Sequence, residues 1–400
     1  MKEGWTYKKL GEVCEIFGRI GFRGYTKADL VDSPNDGAIT LSPSNIQNGE
    51  MDYSKCTYIS WFKYDESPEI KIYPGDILVV KTASVGKTAI VKMLPHKATI
   101  NPQFVVLKNI IINNYYLSYY LRSETAQNYI WSIAKGAAAQ TVSQKNLANL
   151  KVPVISENEQ QRIVAQLDGA FAEIDMIKAE AEKQLSDAKA LFQKALSQAM
   201  TPKEGWEEKM LKEIGETQTG TTPSKTDKSN YGDYIPFIRP AEINYDGLGN
   251  INYDCEISLS EKGLSKGRLF KSGSIFMVCI GATIGKVGIS DRDVSCNQQI
   301  NIITPNKNDD AKFIYYAMTC NTFKEKVIKE GVSAQATLPI ISKGKWEKLT
   351  ISLPPLSEQQ RIVDELDELS ENVKEIETLN NKMTAECDAM KQALLRQVFE

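Results

Sequence analysis

The chain has 400 residues, 42% of them apolar and 25% charged, with a net charge of −3; this suits two to four domains of about 100–200 residues and excludes disordered and collagen-like chains. No stretch approaches the ~18 uncharged apolar residues of a membrane span, and the opening MKEGWTYKKLGEV has no apolar segment behind its lysines, so no membrane association and a cytoplasmic location are expected. The single histidine, His96, and seven isolated cysteines without a Cys-x-x-Cys pair are too scattered for a His-containing metal site or a disulfide framework, so reduced thiols are expected and no cofactor is assigned.

In chain order, residues 1–155 open with Gly4-Trp5 and mix strand-like runs at 76–81 and 104–107 with Gly, Pro and Asn turns and a helix-like stretch at 115–132. This segment holds 18 basic against 13 acidic residues. Residues 156–200, behind Pro153, have no proline and only Gly169 as glycine, and are rich in Ala, Glu, Lys, Gln and Leu, which reads as one long helix capped by Ser156. Residues 201–355 return to the mixed pattern, with a strand-like run at 274–280, a helix-like stretch at 311–329, and 20 basic against 19 acidic residues. Residues 356–400, behind Pro354-Pro355 and with Ser357 as the expected cap, read as a second long helix.

A helix of ~44 residues spans ~66 Å and would overhang a domain of ~155 residues. In the second helix Ile362, Leu366, Leu369, Val373, Ile376, Asn380, Met383, Cys387, Met390 and Leu394 alternate in steps of four and three, an a/d seam with Asn380 at an a position, where one polar residue fixes register. The first helix carries Ile163, Leu167, Ala170, Ile174, Ile177 and Ala181, then slips by one and resumes at Leu185, Ala188, Phe192, Ala195 and Ala199. The two seams are expected to pair with each other.

The whole unit is duplicated. Gly4-Trp5 returns as Gly205-Trp206, Ala83-Ser84-Val85-Gly86-Lys87 as Ala282-Thr283-Ile284-Gly285-Lys286, and Gly136 with Gln140-Thr141 as Gly331 with Gln335 and Thr337. Glu159-Gln160-Gln161-Arg162-Ile163-Val164 recurs identically at 358–363, followed by Leu167-Asp168 and Leu366-Asp367. Near-constant offsets over landmarks spread along the chain mean duplication of about 200 residues.

Several constellations fall short of catalysis. Ser84-Val85-Gly86-Lys87-Thr88 matches only the end of a phosphate-binding loop: Lys81 stands where the first glycine belongs, and Val287 replaces the Ser or Thr in the second copy. The Gly-Lys pair is better read as a tight turn presenting Lys87 and Lys286 to a DNA phosphate. Asn101-Pro102-Gln103-Phe104 is one residue away from the Asn-Pro-Pro-Phe motif of amino-methyltransferases, but no methyl-donor loop accompanies it and the second copy reads Asn297-Gln298-Gln299-Ile300. Glu69-Ile70-Lys71 has no partner acid for a nuclease site. What remains is basic residues near loop signals: Arg19, Arg23, Lys27, Lys225, Lys228 and Arg239, with Arg268, Lys271, Arg292, Lys343 and Lys345 behind them. Arginine forks read guanine edges and lysines neutralise phosphates; with Lys87, Lys286, Gln140 and Gln335 the first six form the candidate DNA-contacting set.

The run Leu353-Pro354-Pro355-Leu356-Ser357-Glu358-Gln359-Gln360-Arg361-Ile362-Val363, at the end of a domain opened by Gly205-Trp206, resembles the specificity subunit of a type I restriction-modification system. The likeness covers the whole chain, although the first copy departs from the usual run, reading Val152-Pro153-Val154-Ile155-Ser156-Glu157. The resemblance implies an α+β protein of two mixed α/β target recognition domains, 1–155 and 201–355, followed by long helices, 156–200 and 356–400, that pair as an antiparallel coiled coil about a pseudo-twofold. It also implies a non-catalytic chain reading a bipartite site in double-stranded DNA, with two methyltransferase subunits bound through the helices and a restriction subunit as an optional further partner. The block Glu159, Gln160, Gln161 and Arg162, with Glu358, Gln359, Gln360 and Arg361, has no evident chemistry within its own domain and is the expected contact with those partners. The competing reading is a two-module interaction protein whose coiled coil is the working part; a fused nuclease fails on its missing motifs.

Overall fold

The structure, a computed structural model, describes residues 5–136, 139–244, 248, 251–331 and 339–400. Two compact units are formed, Met1–Ala179 with Met383–Glu400, and Glu180–Lys382. None of the described helices is long and apolar enough to cross a membrane.

In the first unit the strand Ile77–Val80 lies between Thr88–Ile90 and Phe104–Lys108, and Glu15–Phe17 completes an antiparallel four-stranded sheet. Side chains alternate across this sheet, as a strand dictates. Ile77, Val79, Val105 and Leu107 face a core shared with helical residues, while Leu78, Val80, Phe104 and Val106 face a second core. That second core is closed by a five-stranded sheet, in which Ala98–Ile100 runs parallel to Gly37–Leu41. Thr6–Lys9 pairs antiparallel with Lys151–Val154, tying the start of the domain to its end.

The second unit repeats the plan. Ile275–Val278 lies between Val287–Ile289 and Ile300–Pro305, with Gly215–Thr219 at the edge. Tyr231–Ile238 runs parallel to Ser295–Cys296 in the facing three-stranded sheet, and Glu207–Met210 pairs with Thr350–Leu353. The stretch expected as one helix at 115–132 is two, Asn114–Leu121 and Glu124–Ser132, because Ser123 turns the chain and caps the second by accepting from the Ala126 N–H. Ala311–Thr319 and Asn321–Gly331 repeat the break.

The long helices span Glu157–Ala199 and Leu356–Phe399. Ser156 caps the first, its Oγ accepting from Glu159 N at 3.4 Å. The expected cap Ser357 instead lies inside the second helix, which starts at Leu356 with Pro355 at the capping position, its carbonyl accepting from Glu358 N and Gln359 N. The helices pack together antiparallel: in the first unit Asp175 meets Lys391 at 2.5 Å and Lys178 meets Asp388 at 3.4 Å, and in the second Lys189 meets Glu377 at 2.6 Å. Each domain core takes up the start of its own helix and the end of the other. In the first unit Ile163, Leu167 and Phe171 join Leu395, Val398 and Phe399; in the second Ile362, Leu366 and Val373 join Phe192, Leu196 and Met200.

The expected seam is incomplete. Ile177, Met383 and Met390 are 50%, 38% and 52% exposed, whereas Leu395, Val398 and Phe399, off that heptad, are buried. The reason is that the helix ends pack on a domain rather than only on each other, so burial follows a broader stripe than a two-stranded seam. Asn380 is half-buried, and its Oδ1 has no partner among the described residues.

Candidate nucleic-acid interface

Three segments distant in sequence meet at one end of the central strand of each four-stranded sheet. The first is the Gly-Lys turn. Val80 N donates to Lys87 O at 2.8 Å and Gly86 N to Val80 O at 3.0 Å; Val278 N donates to Lys286 O and Gly285 N to Val278 O, both at 2.9 Å. The turn joins two antiparallel strands, not a strand to a helix, so it cannot act as a phosphate-binding loop of the nucleotide-binding kind. Gly86 has φ +88°, in the left-handed region that favours glycine, and Gln127 closes over it, its Nε2 donating to Gly86 O at 2.9 Å and to Leu121 O at 2.7 Å.

The second segment is the Asn-x-Gln turn that sequence comparison set beside methyltransferase motifs. Asn101 Nδ2 donates to Gln103 Oε1 at 3.0 Å and Gln103 N to Asn101 Oδ1 at 2.9 Å; Asn297 and Gln299 repeat both bonds at 2.9 and 3.1 Å. Asn101 and Asn297 are buried and spent on this self-lock. The turn is thus a structural brace whose backbone receives Lys81 N in one copy and Cys279 N in the other, at 2.7 and 2.8 Å. The third segment is the Gln-Thr loop. Val142 N donates to Lys81 O and Ala83 N to Gln140 O, matched by Ile341 N to Cys279 O and Gly281 N to Pro339 O.

These bonds equate Lys81 with Cys279, Gln140 with Pro339, and Thr141, bridged to Thr82, with Ile340, bridged to Ile280. The frame is common and its side chains are not. In sequence Lys81 stands only as the failed glycine of a loop motif, which carries no sign of this placement. Its ammonium has no acceptor among the described residues, and burial lowers its pKa from the ordinary lysine value.

The candidate cations divide by placement. Lys87, Gln140, Lys27, Lys225 and Lys228 are exposed. Lys286 is half-buried, with its Nζ 3.5 Å from Pro240 O. Arg23 meets Glu69 at 3.4 Å, and Arg239 meets Glu242 at 2.7 Å and Glu256 at 3.2 Å, so each is aimed by carboxylates rather than free. Arg19 is buried: its Nε donates to Ile100 O, Nη1 to Arg23 O and Nη2 to Thr99 Oγ1, while its guanidinium carbon lies 5.2 Å from the Tyr25 ring centre. Three of its five donors are spent inside the domain, where sequence alone suggests a reading residue. Gln335 lies outside the described residues, as do Thr337 and Gly4.

The Glu-Gln-Gln-Arg blocks also divide. Gln160 is buried, accepting from Asn113 N at 2.8 Å and donating to Ile155 O at 2.8 Å; Gln359 accepts from Asp310 N at 2.8 Å and donates to Pro354 O at 2.9 Å. The block therefore has chemistry within its own domain, contrary to expectation: its first glutamine staples the long helix to the cap of the helix it packs on. Glu159 with Arg162 at 2.6 Å and Glu358 with Arg361 at 2.8 Å stand outward as ion pairs, beside exposed Gln161 and Gln360. Asp168 and Asp367 accept from the Tyr119 and Tyr316 hydroxyls, which explains their recurrence.

The family described as "Type I restriction modification DNA specificity domain" matches residues 2–186 and again 203–385. A putative type I restriction enzyme MjaX specificity subunit of Methanocaldococcus jannaschii is 25% identical over 93% of this chain and 90% of its own length. The type I restriction enzyme EcoKI specificity subunit of Escherichia coli K12 is 22% identical over 100% of this chain and 89% of its own. Among solved structures, one from a study of complex assembly and conformational transition of the type I restriction-modification system shares the fold, with a TM-score of 0.70 at 20% identity over 100% of this chain and 98% of that one.

Proposed function

Since the chain belongs to the type I restriction-modification DNA specificity family, we propose that its two units each read one half of a bipartite duplex target, and that the chain does no chemistry of its own. The target-reading domains are placed at 1–155 and 201–355 and the spacing helices at 156–200 and 356–400. The observation that carries this reading is a common backbone frame dressed differently: Lys81, Gln140 and Thr141 in one unit against Cys279, Pro339 and Ile340 in the other. Two unlike surfaces on like frames suit two unlike half-sites, in the way protein symmetry mirrors operator symmetry in dimeric binders. Lys81, Lys87, Gln140, Arg23 and Lys27 serve the first half-site; Lys225, Lys228, Arg239 and Lys286 serve the second.

Two methyltransferase subunits bind through the outward Glu159–Arg162 and Glu358–Arg361 pairs with their neighbouring glutamines, and a restriction subunit joins where cleavage occurs. The assembly works on chromosomal DNA in the cytoplasm. Methylation mapping in a host expressing this chain with its methyltransferase, against a host lacking only this chain, tests the reading. One motif of two short specified blocks around an unspecified spacer is expected. Methylation independent of the chain would overturn it.

A further inference from the structure

We propose that Arg122, in a cavity of the first unit, seats a phosphodiester of the bound DNA, giving the first unit a backbone clamp that the second unit lacks. The inference rests on the DNA-recognition reading above. The cavity, of about 780 Å³, is bounded by the hairpin residues Asn48 and Gly49, by Lys87 of the Gly-Lys turn, and by Lys391 of the second long helix.

Arg122 follows the helix Asn114–Leu121, and its guanidinium carbon lies 5.7 Å from the ring centre of Tyr119 and 5.4 Å from that of Phe171. The hairpin crosses so closely that a Cβ on Gly49, itself at φ +79°, would sit 2.6 Å from that carbon. The group is thus held in place by rings and backbone, yet it has no acceptor among the described residues. The carboxylates that act on it are taken: Glu50 pairs with Lys92 at 2.9 Å and Asp175 with Lys391 at 2.5 Å. Glu124 and Asp388, also on the cavity wall, face Arg396 at 3.5 Å and Lys178 at 3.4 Å.

Burial works against the charge, yet an arginine cannot escape by losing its proton. A partly desolvated planar fork without an acceptor is complementary to an oxyanion that can take two parallel bonds. Lys87, the other cation on this wall without an acceptor among the described residues, belongs to the turn assigned to the DNA, which selects a backbone phosphate as that oxyanion. Among the described residues the second unit has no counterpart. Aligning Tyr119 and Asp168 with Tyr316 and Asp367 puts Thr319 at the place of Arg122, Ser370 at that of Phe171 and Phe192 at that of Lys391, and Phe192 packs on Tyr316 with ring centres 6.4 Å apart.

The test is the affinity of the full chain, assembled with its methyltransferase, for a duplex bearing the mapped motif, measured from 50 to 200 mM salt. Each phosphate contact contributes a slope of about 0.9 in log affinity against log salt. Arg122→Gln is expected to lower the slope by that amount, so that affinity falls about 3.5-fold less across the range than in the parent. Arg122→Lys should restore the slope, and Lys87→Ala, at an exposed site, should reproduce the loss without disturbing the fold. Thr319→Ala should leave it unchanged. If Arg122→Gln does not fold, Arg122→Met, which keeps an unbranched stem against the Tyr119 and Phe171 rings, takes its place with the same expected slope. Unchanged slopes in folded variants, with parent methylation intact, would overturn the clamp and leave the specificity reading standing. Loss of methyltransferase co-purification with an unchanged slope would overturn it in favour of a partner carboxylate. A parent complex that neither binds nor methylates DNA would sink both.

Discussion

Lys178 and Glu377 occupy the same place in the two repeats and carry opposite charges. Lys178 meets Asp388 at 3.4 Å, and its counterpart Glu377 meets Lys189, the counterpart of Asp388, at 2.6 Å. Pairing the first long helix with a copy of itself would set Lys178 against Lys189, and pairing the second with a copy would set Glu377 against Asp388. The reversal therefore favours unlike helices. Exposed pairs contribute about 0.2–1 kcal/mol each. We predict that Lys178→Glu and Asp388→Lys each lower the melting temperature slightly and that the double reversal recovers most of the loss. A double-mutant cycle with no coupling would show the pair to be idle.

The buried and outward members of the Glu-Gln-Gln-Arg block should separate by phenotype. Gln160→Leu strands the Asn113 N–H and the Ile155 carbonyl, and leaving such groups unpaired costs about 1–3 kcal/mol each. Urea denaturation should show that loss, while Gln161→Ala stays within about 0.5 kcal/mol of the parent. Glu159→Ala with Arg162→Ala should weaken methyltransferase co-purification without a change in stability. A stability loss equal to that of Gln160→Leu would instead place the ion pair in the fold.

Phe399, one residue from the chain end, packs 5.4 Å from the rings of both Tyr116 and Tyr120 and 6.5 Å from Trp5. Phe399→Ala should destabilise the first unit by about 3–5 kcal/mol. Hydrogen exchange should speed up in Asn114–Leu121 and leave Ala311–Thr319 nearly unaffected, because the second core holds Met200 at the matching place. Equal loosening of both helices would contradict the separate clamping of each core.

Gly86 and Gly285 look interchangeable in sequence, yet their surroundings differ. At Gly86 a Cβ would lie 2.3 Å from Gln127 Oε1, whereas at Gly285 the nearest atom is Lys324 Cγ at 3.9 Å. Gly285→Ala should cost only the strain of its left-handed backbone, about 1–2 kcal/mol. Gly86→Ala should cost more, since it also displaces Gln127 from Gly86 O and Leu121 O. Thermal melting of the two variants decides the order; the reverse order would mean that the Gln127 bonds contribute little.

Much was determined by local sequence. The duplication is visible because a fold copied within one chain keeps its landmarks at near-constant spacing, and the helices at Glu157–Ala199 and Leu356–Phe399 follow from composition and proline placement. Three-dimensional packing decided the rest. Asn101 recurs as Asn297 while Gln140, paired with Gln335 by sequence, gives way to Pro339 in space, because both segments are fixed by their bonds to the chain around Lys81 and Cys279, which no window along the chain contains. Gln160 is buried although the resemblance implied a partner contact there, and Met390 is exposed although periodicity suggested a seam, because neither a motif nor a period names what covers a face. Arg19 and Arg122 are equally basic in sequence, but one spends its donors on Ile100, Thr99 and Arg23 while the other keeps them unpaired between aromatic rings. A side chain's charge belongs to its residue type; the acceptors within its reach are set by segments far away in the chain.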